Sequence, residues 1–421
     1  MLNGSLACIV EGAGVLLSIF AIIFLIRRGW KMYTVLCLAV AILALTNGLL
    51  LTGNLKLLYS SLTSYTAFYL VSMVLMITLL GYLHQKIGAM EMMVDSLRRL
   101  IRDPRLLLMV FPASISLFST VPGGAIISAP MVEETGRLLK MPPLELAMSN
   151  MVYRHLVVLI TPFNSSLILI SGLTGISIAG YLSFTVPVIL VVFIIATVLI
   201  FYRYPRPEAT ATVGHNKGYY SGALADLFSS AFPFLLSIFL GLVCGVFFPL
   251  ALLAGIVACF FVKLPAADRI SELHGRFKIM LGGFNWPLIL STLAIVVYKD
   301  FMLEAESFQQ TVQYLVEQGL PLMVLIVVLP FITGLITGNN TASLGIAVPV
   351  LIPFFGAEML TVRYFGLVYL SSYAGYFGSP VHLCTYLTNE YFKTPMYPLI
   401  KRINVYGVIM LGVGLVLSLF Y

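Results

Sequence analysis

The chain has 421 residues, 60% of them hydrophobic and 10% charged, with a formal net charge of +7. A soluble domain carries about 25% charged residues, so this composition excludes one and describes a multi-span membrane protein. Cys8, Cys37, Cys244, Cys259 and Cys384 lie in apolar runs without paired spacing, and read as small core residues rather than a disulfide framework or a metal cluster.

Leu6–Ile26, Tyr33–Thr52 and Tyr65–Leu83 are apolar enough to read as three spans. The first lacks the basic leader of a cleavable signal and is expected to remain as a span. The connection after Thr52 places Asn54 in an external loop. Between 87 and 102, Ile87, Met90, Val94, Leu97 and Ile101 recur at helical spacing among Lys86, Arg98, Arg99 and Arg102, the pattern of an amphipathic helix at the membrane interface. Residues 105–140 are apolar but interrupted at Val121-Pro-Gly-Gly124, which leaves arms too short to cross, so a re-entrant hairpin is expected. Pro142-Pro143 opens the next helix, with Glu145 in its first turn. That span, 144–172, is broken at Thr161-Pro-Phe-Asn-Ser-Ser166, and Ser177–Tyr202 closes the first half.

After a linker at 204–221 the order returns. Leu224–Phe247, Leu250–Val262 and Trp286–Tyr298 read as spans, and Lys299–Gly319 as a second interfacial segment. A second hairpin at 320–356, a second broken helix at 361–388 interrupted at Gly378-Ser-Pro380, and a last span after Pro395 follow. Pro104, Pro112, Pro130 and Pro162 recur at Pro321, Pro330, Pro349 and Pro380, offsets of 217 to 219 residues. Together with the shared order, this describes a duplication of 1–203 as 222–421. Five spans per copy force the second copy to insert upside down. With both termini placed outside, 20 of the 24 Lys and Arg residues fall on the cytoplasmic side, as the positive-inside rule requires. The expected fold is therefore an all-α polytopic membrane protein of two inverted repeats in a cell inner membrane. The inner-face residues account for the net charge, so no nucleic-acid partner is implied.

A bare polar turn cannot sit in hydrocarbon; at that depth it has to line a protein-walled cavity. The two tips and two breaks are thus the candidate site, since broken helices carry substrate and ions in secondary transporters. Half-helix N-termini suit an anion, while freed carbonyls with Ser, Thr and Asn oxygens suit a hard cation. Substrate contact is assigned to Thr120, Gly123, Gly124, Asn164, Ser165, Asn340, Thr341, Ser379 and Arg154, and a sodium site to Ser119, Thr161, Ser166, Asn339, Ser343 and His382. Ser128, on the exit arm of hairpin one, is a further candidate. Arg154 lies within a span, where a charge faces a cavity or a partner; substrate anion and a pair with Glu133 or Glu134 are the two alternatives. His155 and His382 read either as proton relays or as packing histidines. No cofactor is expected.

Two halves, each with a re-entrant hairpin followed by a proline-broken helix, resemble the ion-transporter superfamily, which includes divalent-anion/sodium symporters and citrate, gluconate and arsenite permeases. Asn339-Asn340-Thr341 is similar to the Ser-Asn-Thr tip signature of the dicarboxylate/sodium symporters, with Asn in place of Ser; Thr120-Val-Pro-Gly-Gly124 lacks the Asn-Thr pair. The resemblance implies a sodium-coupled secondary transporter of a small organic anion, Asn340 and Thr341 at carboxylate and sodium, and a homodimer with one part moving as an elevator. A proton-coupled, channel-like or lipid-handling protein on the same scaffold is the alternative reading, and an intramembrane enzyme using Glu133, Glu134, His155 or His382 is another. The sequence holds no Gly-x-x-x-x-Gly-Lys-Ser/Thr loop and no His-Glu-x-x-His pattern.

Overall fold

The computed structural model describes residues 2–46, 51–118, 124–204, 217–265, 268–304, 321–355 and 361–421. Among them every regular element is a helix. That is the consequence of composition: backbone groups in hydrocarbon have to be satisfied within their own segment. Among the described residues five helices are long and apolar enough to span, at Tyr65–Lys86, Ile178–Phe201, Tyr220–Val243, Trp286–Glu304 and Met396–Ser418. Phe20, Leu190, Ile194, Phe228 and Val408 stay exposed on outward faces, where lipid, not water, is the solvent. The chain is a multi-pass membrane protein.

The first half runs α1 (Leu2–Arg27), α2 (Met32–Thr46), α3 (Leu51–Leu62), α4 (Tyr65–Lys86) and α5 (Ala89–Leu100), then the hairpin arms α6 (Pro104–Phe118) and α7 (Gly124–Leu138). The broken helix follows as α8 (Pro143–Leu159) and α9 (Ser165–Thr174), and α10 (Ile178–Phe201) ends the half. The second half holds α11 (Lys217–Ile238), α12 (Phe248–Phe260), α13 (Arg269–Leu281) and α14 (Trp286–Glu304). Hairpin arms α15 (Leu322–Thr337) and α16 (Asn340–Leu351), broken helix α17 (Val362–Phe377) and α18 (Leu383–Phe392), and α19 (Met396–Ser418) complete it. Hairpin followed by broken helix thus occurs in both halves, in the same order.

Several sequence expectations need correction. The span expected at 33–52 ends at Thr46, and a separate helix, α3, follows. Asn54 therefore sits in a helix rather than a loop, and its Nδ2 donates to the Ala44 carbonyl at 2.9 Å. The amphipathic α5 forms, but its apolar side (Met90, Met93, Val94, Leu97) packs on Phe111, Ile115 and Leu227 of α6 and α11. Its apolar side is thus covered by protein. Helix α13 was not anticipated, because its composition is polar. It is held by Arg276, whose Nη1 donates to the carbonyls of Phe260 (3.1 Å) and Val262 (2.7 Å). Those acceptors are carbonyls at the end of α12, which lack helical partners. The helix α14 continues through Lys299 to Glu304, so the start of the expected interfacial segment is spanning helix. Residues 305–319 of that segment lie outside the described residues.

Polar contacts join many of the basic residues that the charge count places on one face. Arg98 pairs with Glu134 at 2.6 Å, and Asp226 receives both Lys263 at 3.0 Å and Arg99 at 3.9 Å. Arg402 pairs with Glu145, and Arg105 bonds the Tyr204 carbonyl.

The hairpin arm α15 and the half-helix α17 touch backbone to backbone. A Cβ on Gly375 would lie 2.0 Å from the Phe331 carbonyl oxygen, so only glycine permits this approach. Ser371 adds a hydroxyl bond to the Val327 carbonyl. Hairpin two is thereby fixed on broken helix two.

Candidate functional site

Break one begins where Pro162 removes a backbone donor and disfavours helix at Thr161. The carbonyls freed at the end of α8 are taken by side chains. Thr161 Oγ1 donates to Val157 O at 2.9 Å, Asn164 Nδ2 to Val158 O at 3.1 Å, and Tyr369 OH to Leu159 O at 3.5 Å. Asn164 then caps α9, its Oδ1 accepting from Ser166 N at 2.9 Å. At tip two, Gly338 adopts φ +59°, the left-handed conformation that ends α15. A Cβ there would also lie 2.9 Å from the Val381 carbonyl, so the tip sits directly on break two. Asn339 caps α16, accepting from Ala342 N at 3.0 Å. Break two leaves His382 at the start of α18.

These segments line a cavity of about 260 Å³. Break one contributes Thr161, Asn164, Ser165 and Ser166; tip two contributes Gly338 to Thr341; break two contributes His382, Leu383 and Cys384. Arg154, His155 and Val158 of α8, Ser116 of hairpin one, and Tyr373 and Tyr376 of α17 complete the wall. Tip two closes against break one through Thr341 Oγ1, 3.0 Å from Ser166 Oγ and 3.3 Å from Ser165 Oγ.

The electrostatics have one sign. Arg154 is 4% exposed and lines the cavity, while no carboxylate is among the described residues of its wall. The N-terminal residues of α9, α16 and α18 all lie on it, so three positive helix ends meet there. Asn340 is 5% exposed, and its Oδ1 accepts from Ser372 Oγ at 2.6 Å. Its Nδ2 is buried and finds no acceptor in the protein. A buried orphan donor costs about 1–3 kcal/mol, which an acceptor in the cavity would recover.

Of the residues assigned from sequence, Arg154, Thr161, Asn164, Ser165, Ser166, Asn339, Asn340, Thr341 and His382 are brought together here. Two are not. Ser343 is buried among Thr333 Oγ1 (2.8 Å), Ser372 Oγ (2.8 Å) and the Pro330 carbonyl (3.1 Å), and Ser379 Oγ donates to Leu335 O at 2.7 Å. Both hydroxyls bond within the helix packing, and neither residue lines this cavity. Ser119, Thr120 and Gly123 lie outside the described residues, and Gly124 is described only as the first residue of α7. Ser128 faces Asn150 Oδ1 at 2.6 Å instead. Glu133 is held by Arg137 (2.7 Å) and Tyr391 (2.9 Å), and Glu134 by Arg98. The acids proposed as partners of Arg154, or of the histidines in an enzyme, are thus engaged elsewhere.

Ser116, Tyr373, Tyr376 and Cys384 were not identified from sequence as wall residues, and His155 was not seen to meet His382. Nothing local marks the tyrosines, which sit in an apolar helix; only the adjacency of Arg154 and His155 was a usable signal.

A cavity whose described wall holds no carboxylate, at the meeting of a hairpin tip and two helix breaks, marks a polytopic membrane protein with an anion-compatible site. The chain belongs to the family described as Protein of unknown function (DUF401), which it matches over residues 12–420. No curated protein matches it by sequence. Its fold is similar to that of the Alcanivorax borkumensis YdaH transporter, with a TM-score of 0.62 and 17% identity, covering 88% of this chain and 89% of that one. It is similar also to Neisseria gonorrhoeae MtrF, described among a class of antimetabolite efflux pumps, with a TM-score of 0.56, 15% identity, and 87% and 83% covered.

Proposed function

We propose that the protein is a secondary active transporter that moves a small organic anion across the membrane, coupled to a cation. One observation carries this reading: Arg154, Asn340 and three helix N-termini line one cavity whose described wall holds no carboxylate. At about 260 Å³ the cavity lies at the small end for ligand sites, which suits a compact carboxylate. A second cavity, of about 300 Å³, shares Ser165 with the first and reaches residues 282–285. In this proposal the Ser165–Ser166–Thr341 contact is the gate between the two cavities. The two structurally similar proteins are named as a transporter and an efflux pump, which agrees with this reading.

Two inverted halves, 1–203 and 222–421, are part of the same proposal, supported by the shared element order and the one-sided charge distribution. The hydroxyls of Ser165, Ser166 and Thr341 are the oxygens proposed for sodium, because the carbonyls of break one are already bonded; the positive ends of α9 and α16 oppose a lone cation there, so sodium is held only together with the carboxylate of the substrate. The test is uptake by proteoliposomes of labelled mono-, di- and tricarboxylates, with and without an inward sodium gradient. Concentrative uptake of one class, dependent on the gradient, is the expected result. Uptake of none, or a current without cation dependence, would overturn the proposal.

A further inference from the structure

On the wall of the cavity, two imidazoles and a thiol that lie far apart in sequence come together. His155 is 3% exposed, His382 1% and Cys384 6%, and their donor atoms all lie within 4.8 Å of one another. Each ring is held from behind. His155 Nδ1 donates to the Met151 carbonyl at 2.7 Å, and His382 Nδ1 is 3.3 Å from Thr385 Oγ1. The two Nε2 atoms are left facing each other at 3.3 Å. A ring nitrogen bonded to a carbonyl, with the other nitrogen free to ligate, is the second-shell arrangement that orients metal-binding histidines.

We propose that His155, His382 and Cys384 form a binding site for a tetrahedral, borderline-soft divalent cation of the zinc type. The spacing fits: two nitrogens about 2.0–2.1 Å from one tetrahedral ion stand about 3.3 Å apart, the separation found here. The thiol, whose sulfur lies within 4.8 Å of both nitrogens, has to close in to stand about 2.3 Å from the same ion. Binding replaces the thiol proton, which leaves to solvent, with a metal–sulfur bond. Arg154 Nη1, 3.7 Å from Cys384 Sγ, stands as the second-shell donor to that sulfur. The fourth position opens on the cavity, where water or an anion completes the shell and offsets the added charge. This assigns Cys384 a role that its apolar sequence context hid, and removes His382 from the sodium site. The metal site stands whether or not the cavity carries an organic anion.

The test uses the full chain in detergent, stripped with chelator, in a background where the other four of the five cysteines are serine. Titration with Cd2+ should give one ion per chain and the ultraviolet charge-transfer band of a cadmium–thiolate bond. Cys384→Ser should abolish the band. His155→Gln and His382→Gln should each weaken binding by more than the about 10- to 100-fold that loss of an outer-shell partner costs. Zn2+ should raise the melting temperature of the parent chain and slow alkylation of Cys384, which keeps the proposal testable if a variant fails to fold. A parent chain with no band, or equal alkylation with and without Zn2+, would overturn the site, as would unchanged affinity in both histidine variants.

Discussion

Arg154→Gln raises the half-saturating concentration of the transported anion by about 10- to 150-fold. The side chain is buried on the cavity wall, where hydrogen bonds to a charged group are worth about 1.5–3 kcal/mol, and about 1.4 kcal/mol is tenfold in affinity. Arg154→Lys keeps the charge but loses the planar fork, so its affinity should fall between the parent and Gln. Concentration-dependent uptake in proteoliposomes measures both, and thermal melting of each variant separates a binding effect from misfolding. Equal affinity in all three proteins would return Arg154 to a purely structural role.

Asn340→Ala and Thr341→Val should separate anion from cation. Asn340 lines the cavity and its buried Nδ2 finds no acceptor in the protein, so its loss should weaken the anion by about 5- to 150-fold, the equivalent of about 1–3 kcal/mol. Thr341→Val is nearly isosteric and removes one hydroxyl from the cluster with Ser165 and Ser166. It should raise the half-saturating sodium concentration while changing the anion less. Thr63→Ala, at an exposed position beyond α3, is the control; Asn54 is unsuitable, because its amide holds α2 to α3. Parent-like affinity for both ligands in both variants would make tip two a packing element.

The hairpins and breaks were legible because prolines and polar residues inside apolar runs leave the backbone few options in a membrane. Asn164 and Asn339 were legible for a related reason: each stands where a half-helix starts, and each caps it. Which hydroxyl faces a ligand was not legible. Ser343 and Ser379 look like Ser165 and Ser166 in sequence, yet their side chains bond helix carbonyls and neighbouring hydroxyls in the interior, an option open to any serine in a helix or turn. Helices α3 and α13 escaped because short, polar segments lack the apolar periodicity that marks a span. Helix α13 depends instead on Arg276 reaching the last carbonyls of α12. The meeting of His155 with His382 is set by the packing of α8 against α18, and no local pattern encodes it.

A structure with the transported anion bound tests the central claim most directly. The account predicts its carboxylate within about 3 Å of the Arg154 guanidinium and of Asn340 Nδ2, facing the first turns of α9 and α16. An anion bound elsewhere, with this cavity filled only by water, would contradict it.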